Sequence, residues 1–434
     1  MPEKYDAIII GAGVIGTCTA YELAKTGRKV LSIDKNSVAG YGSTSGSCAI
    51  IRTYYSAFET CAIAYEGWFY WEDWANYVGS PDPRGMIKYH NTGSMVVKTE
   101  HNKQLSHICE IMDRLGCPYT HLTPDEMKAR LPIMDTHQFA PAKRPDDPHF
   151  GEPTAPSILG GIYFPNSGYV NDPALAAQNG EHAAKSRGAK FRYNAEVAAI
   201  RQAKGRVAGI TLKDGTEIDA PVVVNVAGPH SAKINQMAGV FETMKMKTRA
   251  LRHEVAHVPA PEGFDFEKKG MVYSDSDIAT YARPEIGNHI LIGSEDPECD
   301  TREWVDPDNY DRNFSEQWRV QALRLAQRFP DMKIPSRMKG VVDLYDVTED
   351  WIPIYDKSDL PGFFMACGTS GNQFKNAPVA GKMMTALIEA EAKGRDHDKD
   401  PVDFHLDHIG KDVSVGFFSR NRAVNPNSSF SVLG

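Results

Sequence analysis

Near the start of the sequence lies Tyr5-Asp6-Ala7-Ile8-Ile9-Ile10-Gly11-Ala12-Gly13-Val14-Ile15-Gly16, the stretch that decides the fold. Its apolar run at 7–10 predicts a buried parallel strand, and apolar residues at helical spacing over 14–26 predict a helix. Gly11 permits the tight turn between them, Gly13 lets the backbone approach a pyrophosphate, and Gly16 allows the helix to pack closely on the strand. The stretch therefore predicts a Rossmann-like unit that binds a dinucleotide at the helix N-terminus.

An acidic residue follows at the end of the next predicted strand, Val30-Leu31-Ser32-Ile33-Asp34. Asp34 is placed to accept hydrogen bonds from ribose hydroxyls, which favours NAD or FAD over NADP but does not separate those two. A purely structural glycine turn is the alternative, because such turns also join strands to helices without binding a ligand. The strand before the glycines, the helix after them and the acid together favour the dinucleotide.

The composition limits the other classes of function. With 434 residues the chain suits two or three domains, and a net charge of −8 with interspersed signs argues against nucleic acid as a partner. The seven cysteines form no C-x-x-C pair and no metal-ligand spacing with histidine. We therefore expect reduced thiols, no metal site and a cytoplasmic location. We also expect no cleaved leader and no membrane span, since no run approaches the ~18 apolar residues that a span needs.

A run of small residues leads to the next motif. Residues 39–52 read Ala-Gly-Tyr-Gly-Ser-Thr-Ser-Gly-Ser-Cys-Ala-Ile-Ile-Arg, and successive small side chains let the backbone pass close to a bulky group. A flexible surface loop is the alternative, although such a loop rarely ends in two isoleucines and an arginine. Over 62–77 the aromatic residues are spaced as one face of a helix, which predicts that most of them lie in the core.

Further along, the chain alternates between two types of sheet. Residues 222–226 form another predicted buried strand that ends in a glycine turn, and residues 363–367 form a third, followed by a predicted helix over 377–392. Between them, apolar and polar residues alternate over 249–300, which predicts an antiparallel sheet. Helices are also predicted over 101–115 and 310–329. The polar residues 403–434 are predicted to wrap over the surface.

Four motifs, taken in order, carry a family likeness. They are the turn from Gly11 to Gly16, the small-residue loop that ends in Arg52, the strand end Val226-Ala227-Gly228, and the turn Gly368-Thr369-Ser370-Gly371-Asn372-Gln373-Phe374-Lys375. Over about residues 5–395 the chain resembles the FAD-dependent amine oxidoreductases of the sarcosine oxidase, dimethylglycine dehydrogenase and glycine oxidase group, which is D-amino-acid oxidase-like. The resemblance implies FAD, held where glycine turns from both ends of the chain meet.

The resemblance and the residue patterns together predict an α/β fold, α+β overall. A Rossmann-like FAD-binding domain with a parallel sheet is expected over 1–90, 157–235 and 336–400. A substrate-binding domain with a mainly antiparallel sheet and flanking helices is expected over 91–156 and 236–335. Residues 401–434 are expected to form a C-terminal tail.

The resemblance also implies which residues contact FAD. These are Gly11, Gly13, Val14, Ile15, Gly16, Asp34, Lys35, Ser43, Thr44, Ser45, Ala49, Ile50, Val197, Ala227, Gly228, Gly368, Gly371, Asn372, Gln373, Phe374 and Lys375. Positions that attach flavin covalently in family members hold Asp343 and, near residue 45, only serine and threonine. FAD is therefore expected to be non-covalent, with Cys48 as the one thiol that would alter this expectation.

Two cationic residues occupy family positions that bind a substrate carboxylate, Arg52 and Lys375. Arginine offers a bidentate fork and lysine a point charge, so the two together would fix the orientation of a carboxylate. A surface salt bridge is the alternative for either residue alone. Tyr345 and Tyr281 match family tyrosines over the active site, with a role in the core as the alternative.

The chain departs from the family at two positions. An oxygen-activating lysine of the family falls on Leu291, which puts direct reduction of O2 in doubt, because a cation near the flavin stabilises developing superoxide. A second arginine in the small-residue loop of the family is Ala49 here. The pocket is therefore expected to differ from that of its relatives.

A replacement cation is expected at the end of a substrate-sheet strand, at Arg283. Arg249 or Arg252, together with His253, are further candidates. If Arg283 points at the flavin, the pocket has cations at both ends and suits an amine with two carboxylates, such as iminodiacetate. This hypothesis rests on sequence position alone.

The resemblance implies a reaction as well as a cofactor. The chain is expected to oxidise a secondary or tertiary amine that bears a carboxylate to an imine, which hydrolyses to an aldehyde or oxo acid and an amine, with electrons passed to O2. A dehydrogenase of the same substrates that uses a carrier protein or quinone is an alternative, and so is a non-catalytic FAD-binding redox sensor. An NAD-dependent reductase is less favoured, because the sequence has no second glycine-rich nucleotide fingerprint.

Overall fold

The computed structural model describes residues 3–100, 102 and 104–433. Its glycine-rich turn follows the third strand of a six-stranded sheet. In spatial order the strands of this sheet are Lys190–Arg192, Val30–Ile33, Ala7–Ile10, Val223–Asn225, Phe363–Cys367 and Ile354–Lys357. The first five run parallel and the last is antiparallel. The strand predicted over 7–10 is fully buried, so the Rossmann-like unit is confirmed.

Alternation along this buried strand divides the core. Ala7 and Ile9 pack on the side of the helices, whereas Ile8 and Ile10 pack against a smaller, mainly antiparallel layer. Helix Val14–Lys25, which the apolar spacing predicted, contacts helices Ala377–Ala392 and Pro173–Ser186 on the first side. On the second side lies a four-stranded sheet with the spatial order Glu3–Lys4, Glu217–Asp219, Arg206–Leu212 and Val197–Ala203.

A nine-stranded sheet forms the other large layer. In spatial order its strands are Glu303–Trp304, Arg249–Pro259, His289–Ser294, Thr280–Glu285, Val272–Asp275, Ser94–Val97, Gly161–Phe164 and Thr120–Leu122, with Gly340–Val347 also paired to Arg249–Pro259. Neighbours are antiparallel except Val272–Asp275 and Ser94–Val97, which run parallel. The sheet predicted over 249–300 is therefore confirmed, and with it the mixed α/β fold.

Two small sheets complete the strands of the described residues. The first contains Ile50–Ile51, Gly168–Val170 and Tyr89–His90, so the small-residue loop ends in a strand rather than in solvent. The second is the hairpin of Asp403–Leu406 and Lys411–Ser414. The α-helices of the described residues are Val14–Lys25, Phe58–Glu72, Trp74–Val78, Gln104–Leu115, Pro124–Arg130, Pro173–Ser186, Ser231–Met237, Phe266–Lys269, Glu316–Arg328 and Ala377–Ala392. None of them is both long and apolar enough to cross a lipid bilayer.

Two predicted helices differ from the observed ones. The helix expected over 310–329 begins only at Glu316, because the Arg252 guanidinium donates to the carbonyls of Asp311 and Asn313 and keeps that backbone outside the helix. The helix expected over 62–77 begins at Phe58 and breaks at Asp73 into two. The helix expected over 101–115 is observed from residue 104, and residues 101 and 103 lie outside the described residues.

Sheet membership departs from the predicted domain boundaries at two strands. Gly161–Phe164 and Gly340–Val347 fall inside the segments assigned to the FAD-binding domain, yet both pair into the nine-stranded sheet. The hydrophobic pattern did not reveal this, because a buried strand has the same apolar character in either sheet. The division into two domains stays a prediction.

The tail prediction was wrong in one respect. Residues 401–433 do not only wrap the surface, because Phe418 and Arg420 are fully buried. Arg420 forms ion pairs with Asp356, Asp359 and Asp398, which bind the tail to the edge of the parallel sheet. The tail then continues to a large cavity, which Val432 and Leu433 line.

Candidate active site

A cavity of about 730 Å³ lies between the glycine turns of the parallel sheet and one face of the nine-stranded sheet. This volume is in the range of pockets that enclose large ligands. The cofactor and substrate residues predicted from the sequence line the cavity, except Gly368, Arg283 and the alternative candidates Arg249 and Arg252. The fold thus brings the opening glycine turn, the small-residue loop and the turn at 368–375 to one place.

The nucleotide end of the cavity is built around the opening turn. Gly11 has a φ of +113°, and a Cβ atom there would lie 2.3 Å from the Val226 carbonyl oxygen, so only glycine fits. Asp34 Oδ2 accepts a hydrogen bond from the Ala12 amide at 2.8 Å, and Oδ1 accepts from the Asn36 amide at 2.8 Å. These bonds fix the carboxylate at the cavity wall.

The first helix presents its N-terminus to the same space. Its cap residue, Gly13, makes no side-chain capping bond, and the Val14 amide donates to Thr44 Oγ1 at 3.1 Å. A helix N-terminus carries a partial positive charge and free amide donors. This end of the cavity therefore suits the pyrophosphate of a dinucleotide.

The turn at 368–375 adds a donor without a partner. Asn372 is 3% exposed and lines the cavity, and its Nδ2 has no hydrogen-bond partner among the described residues. A buried amide of this kind favours a ligand that supplies an acceptor. Gly371 has a φ of +69°, and a Cβ there would lie 2.4 Å from the Tyr345 ring. Gly368, in contrast, does not line the cavity, since it faces Thr348 and serves the turn alone.

Two cationic side chains meet on one tyrosine. The Arg52 guanidinium carbon lies 4.1 Å from the centroid of the Tyr55 ring, and Lys375 Nζ donates to the Tyr55 hydroxyl at 2.9 Å. Lys375 also donates to the Asn372 carbonyl at 2.8 Å. Arg52 Nη1 donates to the Tyr54 carbonyl. Although they are far apart in sequence, Arg52 and Lys375 share one buried corner of the cavity.

Burial changes the chemistry of Lys375. Desolvation, and after it the charge of Arg52, hold the pKa of Lys375 well below its ordinary value. The side chain has no carboxylate ion pair within the described residues. An anion that enters this corner would therefore favour uptake of a proton by Lys375.

Aromatic side chains form another part of the cavity wall. The hydroxyls of Tyr281 and Tyr345 are 3.2 Å apart, and the His253 ring stacks on Tyr345 with centroids 4.2 Å apart. Burial raises the pKa of both tyrosines, so they stay neutral. Cys48 Sγ lies 3.8 Å from the Tyr281 hydroxyl, and burial also raises the pKa of this thiol. A protonated thiol is a poor nucleophile.

A buried carboxyl group behind the wall escaped the sequence analysis. Ser274 lines the cavity next to Tyr281 on the neighbouring strand, and its hydroxyl donates to Glu295 Oε1 at 2.6 Å. Burial raises the pKa of Glu295 to about 7. Through Ser274 this carboxyl can exchange a proton with a ligand near neutral pH. The only sequence signal was an acid directly after an apolar strand.

The expectation that Arg283 points at the flavin was wrong. Arg283 donates to the carbonyls of Cys48 and Pro284, forms an ion pair with Glu285 at 3.0 Å and does not line the cavity. Its Nε and Nη1 groups bind these neighbours, and the side chain lies outside the cavity, so it is not placed to bind a second substrate carboxylate. The dicarboxylate hypothesis loses its basis.

The two arginines among the other basic candidates also lie elsewhere, whereas His253 lines the cavity. Arg252 pairs with Glu254 and Glu303, and Arg249 stacks over Trp304. Neither lines the cavity. Leu291, where the resemblance placed the missing oxygen-activating lysine, does not line it either. The effect of this position on the reaction with O2 stays a prediction.

A cluster of charges connects the two large sheets at the cavity rim. Asp308 accepts hydrogen bonds from Lys35 at 2.7 Å, from Lys233 at 2.7 Å, and lies 2.9 Å from His230 Nε2. Lys233 also donates to Asp306 at 2.6 Å. Hydrogen bonds from Lys233 and Lys35 hold the pKa of Asp308 well below its ordinary value. We call these five residues the rim latch.

A protein-family model for FAD dependent oxidoreductases matches residues 6–387. The chain belongs to this family. Its cofactor is therefore FAD, and the glycine turns, the N-terminus of the first helix and the unpaired Asn372 Nδ2 fit that group. Bound FAD supplies a site that takes up two electrons from a substrate.

Known relatives of this FAD-dependent oxidoreductase share most of its length. It is 26% identical over 401 residues to the sarcosine oxidase subunit beta of Rhodobacter capsulatus, covering 90% of this chain and 86% of that one. It is 24% identical over 432 residues to the glycine oxidase of Geobacillus kaustophilus, covering 94% and 100%. The solved L-proline dehydrogenase from P. horikoshii has the same fold, with a TM-score of 0.75, 21% identity and coverage of 97% and 98%.

The rim latch leads to a prediction about cofactor retention. Asp308→Asn removes the charge that Lys35, Lys233 and His230 share, so we expect FAD to dissociate about threefold to tenfold faster, the modest effect of partly exposed ion pairs. FAD release into buffer, followed by fluorescence, measures this rate. Asp146→Asn is the control, because the Asp146 side chain is 88% exposed. Equal release rates for the wild type and Asp308→Asn would show that the latch does not retain FAD.

Proposed function

We propose that this FAD-dependent oxidoreductase oxidises a secondary or tertiary amine that carries one carboxylate. The observation that carries the proposal is the meeting of Arg52 and Lys375 on Tyr55, inside the cavity that suits FAD. Two buried basic groups with no carboxylate partner among the described residues form a site for a small anion. The named substrates of relatives support this choice, since sarcosine, glycine and 4-methylaminobutanoate are all amines with one carboxylate.

The residues of the chain divide the work of binding. Arg52 and Lys375 would hold the carboxylate, and this fixes the position of the amine one or more carbons away. Tyr281, Tyr345 and His253 would surround the amine end with rings and exclude water. Glu295, through the Ser274 hydroxyl, would accept the proton that an ammonium must lose before its C–N bond is oxidised. The resulting imine hydrolyses after release.

FAD is proposed to be non-covalent. Asp343 stands where the resemblance would need a cysteine, and Cys48 is a partly buried thiol whose pKa is raised by desolvation, which disfavours attack on the flavin. All seven cysteines are free, with six of them wholly or partly buried, which supports the proposed location in the cytoplasm. Precipitation with acid should release yellow FAD into the supernatant, and a yellow pellet would contradict the proposal.

The reaction is tested by mixing the FAD-loaded protein anaerobically with a panel of amines. We expect N-methylglycine and other N-substituted amino acids to bleach the flavin absorbance. An N-methylamine of similar size without a carboxylate should need about 100-fold higher concentration, because it lacks the charge-assisted bonds to Arg52. A panel in which no amine bleaches the flavin would overturn the proposed function.

The electron acceptor is tested in the same vessel. We propose O2, so admitting air after bleaching should restore the absorbance and release peroxide. Recovery only after addition of an artificial acceptor would assign the protein as a dehydrogenase instead. A flavin that binds but never bleaches would favour the redox-sensor alternative.

A further inference from the structure

The end of the tail enters the corner that holds Arg52. Val432 and Leu433 line the cavity, and Arg52 Nη2 donates to the Val432 carbonyl at 3.0 Å and to the Leu433 carbonyl at 2.6 Å. These carbonyls lie against the group to which we assign the substrate carboxylate. We call residues 429–433 the plug.

The two bonds occupy the part of the guanidinium that a carboxylate needs. Arginine binds a carboxylate with two parallel N–H groups of its planar fork. Either such pair includes an Nη2 hydrogen, together with Nε or with Nη1. In this structure both Nη2 hydrogens face carbonyls of the plug, and Nη1 also donates to the Tyr54 carbonyl. A bidentate carboxylate and the plug therefore cannot bind Arg52 together.

Ion pairs bind most of the tail to the rest of the chain, whereas few contacts hold the plug. Before it, Arg420 pairs with three aspartates, and Arg422 pairs with Asp350 at 2.8 Å. The Ser428 hydroxyl donates to the Asp350 carbonyl at 2.5 Å and marks the last of these anchors. Beyond Ser428 the contacts with the rest of the described chain are few and none is an ion pair, so the plug can leave without unfolding the rest of the tail.

Two contacts hold the plug besides Arg52. Val432 is 8% exposed and packs with Leu251, Val347 and Trp351, next to the active-site tyrosines. Arg302 Nη2 donates to the Phe430 carbonyl at 2.6 Å. A ligand that takes Arg52 must therefore also expose Val432. Exposing this side chain costs free energy, so a ligand that binds Arg52 weakly cannot displace the plug.

We propose that the plug is a displaceable occupant of the carboxylate subsite and a determinant of substrate specificity. A carboxylate replaces the Val432 and Leu433 carbonyls on Arg52, because its charge-assisted bonds are stronger than those of neutral carbonyls. A ligand without a carboxylate leaves the plug in place and meets a narrower cavity. The inference rests on the proposed function only in assigning the carboxylate subsite to Arg52.

The test weakens the plug without touching Arg52. In the FAD-loaded protein, Val432→Ala removes two buried methyl groups, and Val424→Ala makes the same change at a tail side chain that is 47% exposed. Acetate is titrated while the flavin absorbance is followed, with methylamine as the ligand that lacks a carboxylate. We expect Val432→Ala to bind acetate about fivefold more tightly, Val424→Ala to match the wild type, and methylamine binding to stay unchanged.

A second readout follows the plug itself. Hydrogen exchange of the amides at 429–433 in the wild type should speed up at saturating acetate and stay constant with methylamine. Arg302→Gln, which removes the bond to the Phe430 carbonyl, should shift acetate affinity in the same direction as Val432→Ala. Unchanged or weaker acetate binding in both variants, no acetate binding at all, or unaltered exchange would overturn the proposal. If acetate releases the plug but no amine bleaches the flavin, the plug stands and the proposed function fails.

Discussion

Replacing Arg52 by leucine is expected to raise KM for an amine carboxylate about 100-fold, with a smaller change in kcat. The loss corresponds to about 3 kcal/mol, the usual worth of a pair of charge-assisted hydrogen bonds in a buried site. In the proposed function Arg52 binds the carboxylate rather than the reacting C–N bond, so its removal should weaken ground state and transition state alike and act mainly on KM.

Two further variants separate charge from geometry. Arg52→Lys keeps the charge but loses the fork, so KM should rise about tenfold, between the wild type and Arg52→Leu. Arg319→Leu is the matched control, because this side chain is 45% exposed and remote from the cavity. Steady-state kinetics with N-methylglycine and with an N-methylamine lacking the carboxylate measure the effects. If Arg52→Leu impaired both amines equally, Arg52 would have no role in binding a carboxylate.

Replacing Lys375 by methionine is expected to weaken carboxylate binding at least tenfold and to stabilise the protein by about 1 kcal/mol near pH 7. The buried amine has no carboxylate partner among the described residues. Near pH 7 it is protonated in the unfolded chain, and burial disfavours that charged form in the folded protein. Methionine has similar length and leaves no carbonyl unpaired, since the Asn372 carbonyl also accepts from the Tyr55 hydroxyl. The Lys375 side chain would therefore lower the stability of the folded protein while increasing its affinity for a carboxylate.

The pH dependence follows from the lowered pKa of Lys375. In the unfolded chain this amine holds its proton up to about pH 10.4, whereas in the folded protein it loses the proton at lower pH. Between those two values the unfolded state binds more protons, so the stability of the wild type rises with pH. The stability advantage of Lys375→Met should shrink as the pH rises toward 10.

Carboxylate binding should show the opposite trend. An anion beside Lys375 favours the protonated amine, so binding takes up a proton and affinity falls as the pH rises above the folded pKa. Lys375→Met should remove this slope. Chemical denaturation and acetate titrations across pH measure both effects, with Lys399→Met, a side chain 84% exposed, as the control. A variant that is less stable at every pH, with the wild-type slope in acetate affinity, would contradict this account of Lys375.

Local patterns were sufficient for most of the secondary structure. The strand at 7–10 and the helix that follows were predicted correctly because the glycine turn and the apolar spacing are properties of adjacent residues. The helix predicted from 310 failed because Arg252, from a distant strand, binds the backbone of its first residues. The sheet membership of Gly340–Val347 depended likewise on its pairing with Arg249–Pro259, which no local pattern specifies.

The candidate site shows the same division. Arg52 and Lys375 were found because their motifs resemble a family, and the structure places both in the cavity. Arg283 was also chosen by position, but Glu285 and two backbone carbonyls turn its guanidinium away. Glu295 was missed because its raised pKa arises from burial, which depends on packing rather than on its neighbours in sequence.

The sequence by itself determined the Rossmann-like unit and the FAD-dependent family, and it predicted a pair of cations for a carboxylate, because short motifs with strict backbone or charge requirements indicate each of them. Only the tertiary structure decided what Arg52 contacts. The Val432 carbonyl that binds it is 380 residues away in the chain, and Val432 is held there by strands from the nine-stranded sheet. Contacts over such distances depend on how the sheets pack, and a polar tail carries no local signal of where it ends.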